Sequence, residues 1–328
     1  MSRFRRRLMM AAQGGAAQKD YLKFEILTTG TVSFVFKTTT TSTDAESISY
    51  SLDNGETWTI WENPADKTEE KSRAIYAPSG TIVLWKGVAS CFNPNVANIN
   101  NASKFGGDAT YNISGNILSL LSDNFENITT IPSSYCFTGL FANAKIVDAS
   151  QLKMPLTNDF CYRNIFYQST MTVAPKVLPT ANGNGAYFNA FSNCKSLIVP
   201  PELPATTLGA NCYCGMFDSC SNLQSAPTLP FTGEIPSNGY RTMFKGCGKI
   251  DYIKSLHTSQ KSGGMYQWVQ NVAATGIFVK NINATWTDTG VSGVPTGWTL
   301  IYYDPSTDKY YLSDKTTECD DHGNVINA

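Results

Sequence analysis

The chain reads as mainly β with short helices: an N-terminal antiparallel β-domain followed by a solenoid of stacked repeats. Two patterns predict this. Between Tyr21 and Trp85 apolar and polar residues alternate, which is the two-residue period of half-buried strands. Further along, five aromatic pairs recur at a fixed pitch. Their second members, Phe141, Phe166, Phe191, Phe217 and Phe244, are spaced by 25, 25, 26 and 27 residues. A period in the twenties marks units too small to bury their own apolar face, which must stack to make a core.

Taken in order, residues 1–19 form a basic arm rich in Ala, Gly and Gln, with no apolar period. Such a segment gains order only from contacts outside its own chain, and a neighbouring subunit is the simplest source. Arg3, Arg5, Arg6 and Arg7 are interleaved with Phe4, Leu8, Met9 and Met10. Arginine, aromatic and methionine anchors are favoured in protein–protein interface cores, so these eight residues are the candidate partner-binding set. Contact with nucleic-acid phosphates and simple disorder are the other readings of the arm. The basic start imitates the beginning of a secretory signal. However, the apolar run from Leu8 to Ala12 is too short to complete one, and no window is long enough to span a membrane, so neither export nor membrane anchoring is expected.

Residues 20–90 are the antiparallel β-domain. Strands are expected near Tyr21–Leu27, Thr31–Phe36, Ser47–Leu52, Thr57–Trp61 and Thr81–Trp85, with Asn54-Gly55 as a hairpin turn. Residues 91–134, rich in Asn and Ser and strand-like from Tyr111 to Leu121, are expected to cap the first repeat. Residues 135–262 hold five coils. In each, an aromatic four residues ahead of the phenylalanine (Phe137, Tyr162, Tyr187, Tyr213, Tyr240) shares its face, which predicts one short helix per coil. A small residue follows three positions after the phenylalanine (Ala144, Ser169, Cys194, Cys220, Cys247), then an extended segment ending in Met154-Pro155, Leu178-Pro179, Leu203-Pro204 or Leu229-Pro230. In the fifth coil His257 stands at the proline position. Proline lacks a donor N–H, so long regular sheet pairing is not expected there. Residues 263–300 close the stack, and 301–328 read as a final β-hairpin and polar tail.

The stretch from Leu203 to Pro230 carries Leu-Pro-Ala-Thr-Thr-Leu, then Cys212-Tyr213, Met216-Phe217, Cys220, Leu223, Ala226-Pro227 and Leu229-Pro230. This pattern resembles the leucine-rich repeat of BspA-like proteins, in the variant found in Bacteroidales and their phages. Trp268–Asn281 with Val294–Thr299 resembles that family's closing segment, and Ile113–Leu121 resembles the segment before its repeats. The resemblance spans roughly residues 20–300. It is specific for architecture and not for function, because the family holds both cell-surface and virion proteins. The arm in turn resembles the Arg- and Met-rich starts of virion proteins of crAss-like phages of Bacteroides.

The chemistry legible in the chain is sparse. Twenty-five basic and 26 acidic residues balance, which argues against a broad nucleic-acid-binding surface. Six of the nine cysteines fall on two repeat positions (Cys194, Cys220, Cys247 and Cys136, Cys161, Cys212), the mark of packing; they are expected to be reduced and buried. Ser51-Leu-Asp53-Asn-Gly55-Glu-Thr57-Trp58 fits an Asp-box, whose physical task is a hairpin turn; a sialidase would need several copies, an arginine cluster and a tyrosine nucleophile. Asp320-Asp321-His322 reads as a solvated tail rather than a metal site. With two histidines, a Ser/His/Asp or Cys/His centre is poorly supported. No phosphate loop or dinucleotide fingerprint is present, no paired-carboxylate site stands out, and no cofactor or catalytic residue is expected.

The leading expectation is a non-enzymatic virion protein, a head fibre or decoration subunit tied to capsid or portal-tail proteins by its arm. It would be a homo-oligomer, with the solenoid free to meet a host surface or glycan. The second reading is a Bacteroides cell-surface adhesin.

Overall fold

The computed structural model describes residues 19–36, 47–62, 71–89, 99–178 and 180–326. The protein is mainly β. Among the described residues it forms four sheets, none closed, and its helical segments are short 3-10 turns.

The N-terminal strands follow the alternation. β1 (Leu22–Ile26) buries every second residue, as does β2 (Gly30–Phe36). They join β3 (Ser47–Ser51), β4 (Thr59–Glu62), β5 (Lys71–Ala77), β6 (Ile82–Val88), β7 (Lys104–Gly107), β8 (Tyr111–Asn116) and β9 (Gln151–Lys153). One sheet runs β4-β3-β6-β1-β8-β9 and a second runs β5-β2-β7. Aromatic rings knit the two: Phe105 lies 4.9 Å from Phe24 and 5.0 Å from Trp85. β7 and β8 lie past residue 90, so the antiparallel pairing reaches into the stretch expected as a cap. Every pairing in these sheets is antiparallel except β8 with β9, which is parallel. That switch marks the entry to the repeats.

From there, parallel bridges link successive units: Asp148 to Val173, Val173 to Val199, Val177 to Glu202, Ala181 to Leu208, and Leu229 to Ser255. β10 (Glu234–Ile235) pairs in parallel with β12 (Ser259–Gln260). β11 (Tyr252–Ser255), β13 (Ile277–Asn281) and β14 (Thr299–Asp304) continue the parallel ladder. β15 (Lys309–Tyr311) and β16 (Glu318–Cys319) end it as an antiparallel hairpin.

The segment expected as a helix in each unit is instead a run of tight turns. Between Asn211 and Cys220 the amides alternate in task. Those of Tyr213, Gly215 and Phe217 donate to Gly239, Arg241 and Met243 in the next unit, at 3.1, 2.8 and 2.9 Å. Those of Cys214, Met216 and Asp218 donate three residues back, to Asn211, Tyr213 and Gly215. Every fourth residue is left-handed: Asn211 at φ 56°, Gly215 at 62° and Ser219 at 64°. The same register recurs at Gly139 and Asn143, Asn164 and Gln168, and Asn189 and Asn193. An α-helix spends its interior N–H groups on its own carbonyls and has none to give a neighbour. Short polar residues and glycine tolerate the left-handed region, so the turn run is allowed here and each unit bonds to the next. A run with a four-residue period also puts i and i+4 on one face, which is why the aromatic spacing imitates a helix.

The aromatics stack in two files. Phe137, Tyr162, Tyr187 and Tyr213 follow one another at 5.5 to 6.0 Å, with ring planes within 18°. Phe105, Phe141, Phe166, Phe191, Phe217 and Phe244 follow at 5.2 to 5.8 Å, within 16°. All ten rings are buried. Offset-stacked rings add about 0.5–1.5 kcal/mol per pair beyond their area. Trp268 ends both files, 6.1 Å from Tyr240 and from Phe244. One apolar core therefore runs unbroken from Leu22 to Trp298.

Candidate functional site

The residues with chemical potential are, one after another, spent on packing. Eight cysteines are described, all buried and unbridged; Cys91 lies outside the described residues. The thiols of Cys194, Cys220 and Cys247 donate to the carbonyls of Phe166, Phe191 and Phe217, one unit back, at 2.9, 3.0 and 3.1 Å. A thiol at this repeat position thus satisfies a file carbonyl. Burial pushes the Cys194 and Cys247 thiols up to about 12 and Cys214 to about 11. Thiolate is the reactive form, so these groups are poor nucleophiles and poor metal ligands at neutral pH.

His257 is fully buried at the end of the fifth unit. Its ring stacks on Trp286 at 4.7 Å, and its Nδ1 is 2.9 Å from the Ser255 hydroxyl. Burial first, and the Lys280 charge second, push it down to about 3. A histidine kept neutral by its surroundings and wedged between rings is a core side chain here, whereas Pro155 and Pro204 of the earlier units are exposed.

The Asp-box folds as its hairpin loop. Asp53 accepts from the Thr57 hydroxyl and from the Thr57 N–H at 2.9 Å, while the Ser51 hydroxyl reaches it at 2.7 Å. These bonds, Thr57's first, hold its carboxyl at about 2. Asn54 and Gly55 take φ 62° and 89°, and Trp58 packs 4.9 Å from Tyr21. In the tail, Asp320 accepts the N–H groups of His322 and Asn324 at 2.9 and 2.8 Å, closing an exposed turn. The candidate arm residues Arg3, Phe4, Arg5, Arg6, Arg7, Leu8, Met9 and Met10 lie outside the described residues.

What the repeats offer instead is surface. A furrow of about 510 Å³ runs between two units, walled by Val199, Pro201, Leu203, Ala226, Pro227 and Pro230. A smaller one of about 360 Å³ lies beside Leu152, Met154 and Pro155. Prolines strip N–H donors from these walls, so the strand face does not demand further sheet pairing and stays open to apolar contact. The sequence signalled the lack of long sheet pairing here through its prolines, but not the furrow.

Among the described residues no group of three or more His, Cys, Asp and Glu side chains is placed to hold a metal ion, and no helix is long and apolar enough to cross a membrane. Comparison with family models, curated proteins and solved structures finds no match.

Proposed function

We propose that the chain is a non-enzymatic structural protein of a bacteriophage virion. In this reading it is a capsid-attached head fibre or decoration subunit, and its repeat region is a leucine-rich-repeat-like solenoid of the BspA type. The observation that supports it is the continuous pair of aromatic files, with each unit's amides donated to the next. This is an arrangement that builds length and surface while consuming the reactive side chains as packing. The arm at residues 1–19 would tether the protein to capsid or portal-tail subunits, and subunits would associate into homo-oligomers. The repeat surface would be presented outward to a host surface or glycan.

Mass spectrometry of purified particles against host membrane fractions tests the reading. The chain is expected in virions at fixed stoichiometry. Enrichment in the host envelope with absence from particles would overturn it in favour of a Bacteroides surface adhesin. Deleting residues 1–15 is expected to leave the fold intact and abolish incorporation. Charge reversal at Arg5, Arg6 and Arg7 should weaken incorporation, because acidic groups would face an interface shaped for cations.

A further inference from the structure

We propose that the groove at the closing end of the repeats binds an acidic saccharide, with Lys280 receiving its carboxylate. Lys280 sits in β13 with 4% of its surface exposed. Its ammonium donates to the Trp286 carbonyl and lies 4.0 Å over the Trp286 ring. No carboxylate lies within ion-pair distance among the described residues, and two of its three N–H donors are unspent. A cation removed from water without a counter-charge is costly, and it is retained where something supplies the missing charge.

The space beside it fits that role. A groove of about 450 Å³ opens over Lys280, within the range of about 300–1,000 Å³ typical of small-ligand sites. Parallel pairing of Lys280 with Tyr302, and of Phe278 with Leu300, puts Lys280, Leu300 and Tyr302 on one sheet face. The 287–298 segment forms the opposite wall with Pro295, Trp298 and the threonines 287, 289 and 296. The hydroxyls of these threonines carry no hydrogen bond to a described residue. Aromatic and aliphatic walls, free hydroxyls and one cation match the mixed apolar and polar faces of a pyranose bearing a carboxylate.

The surrounding charges narrow the choice. Lys315 lies 4.5 Å over the Tyr302 ring and adds positive potential. Asp288, at the rim, is held by the Gln260 side-chain amide at 3.0 Å. Its charge disfavours a multiply charged anion and leaves room for a single carboxylate. This inference stands apart from the virion reading and does not require it.

The test uses the full chain and ligand-observed NMR with glucuronic acid and N-acetylneuraminic acid. Glucose, methyl glucuronate and sulfate serve as comparators. Binding of at least one acid is expected, with the neutral sugar and the ester weaker by about tenfold or more and sulfate failing to displace the acid. Lys280→Met should abolish binding at an unchanged fold. Should that variant not fold, Thr289→Val with Thr296→Val, both at exposed positions, should reduce affinity severalfold. Equal binding of acid and ester, displacement by sulfate, indifference to these substitutions, or no binding by either acid would each overturn the proposal.

Discussion

The two ends of this molecule bury aromatic rings by opposite backbone strategies. In the N-terminal sheets, Phe24 and Phe34 are presented by strands that pair antiparallel with distant strands, Phe24 opposite Val83 and Phe34 opposite Arg73. In the repeats, Tyr213 and Phe217 are presented by a turn run whose amides reach a neighbour about 26 residues on. In the first the side-chain period is two, in the second four. The difference teaches that an i, i+4 aromatic pair specifies a face and not a helix. What decides the backbone is whether residues at every fourth position can take positive φ.

The largest expected effect bears on what the two regions share. Phe34→Ala and Phe217→Ala should each cost about 3–5 kcal/mol, because both rings are fully buried. Since one core spans both regions, either variant should lower a single cooperative transition in calorimetry. Two separable transitions, with each variant moving only one, would break the comparison into independent domains.

An acid titration separates the regions next. His257 is neutral in the fold, with its pKa depressed to about 3, whereas the unfolded chain titrates at the ordinary histidine value. The unfolded state therefore binds the proton first. The stabilisation is present above about pH 6.5 and is lost as pH falls towards 3, by up to a few kcal/mol. His257→Phe keeps a ring against Trp286 and should flatten this acid limb in denaturant titrations at several pH values. An unchanged limb would place the acid sensitivity elsewhere.

Gly215→Ala has opposite signs under the two backbone readings. In a helix it would stabilise by about 1 kcal/mol. In the turn run Gly215 is at φ 62°, and an added Cβ would sit 2.0 Å from the Asn189 amide oxygen. A loss of about 1–2 kcal/mol is therefore expected. The smallest effect comes from the tyrosine file, whose Tyr162, Tyr187 and Tyr213 hydroxyls are buried without a hydrogen-bond partner among the described residues. Tyr187→Phe removes such a group and should be neutral or stabilising by about 1 kcal/mol in thermal melts. A clear loss would reveal a partner for that hydroxyl.

Much of this was legible in residue order. Alternation located β1, β2, β3 and β6, and the 25- to 27-residue pitch located the rings from Phe137 to Phe244, though not Phe105 or Trp268 at the ends of the files. β5 and β7 were missed. Lys71–Ala77 mixes charge into its strand, and Lys104–Gly107 is short and glycine-rich. The turn run was missed because aromatic spacing was weighed and the polar lattice was not. Asn189, Asn193, Asn211 and Asn238 fall four residues apart or on matching unit positions, and that Asn/Gly register was the available signal. Lys280 could not be singled out, since within Ile277–Asn281 it reads as the solvated residue of an ordinary strand. Its burial depends on the Trp286 segment folding back over it, a contact that no local pattern encodes.

The central claim is that each unit's turn run donates its amides to the next unit. Backbone NMR of the perdeuterated chain tests it most directly, through ¹³Cα shifts across 209–220 and amide NOEs between units. Left-handed shifts at Asn211, Gly215 and Ser219 are expected, with contacts from the Tyr213 and Phe217 amides to residues near Gly239 and Met243. Uniform helical shifts through this stretch, with only sequential amide contacts and none to the next unit, would contradict the account.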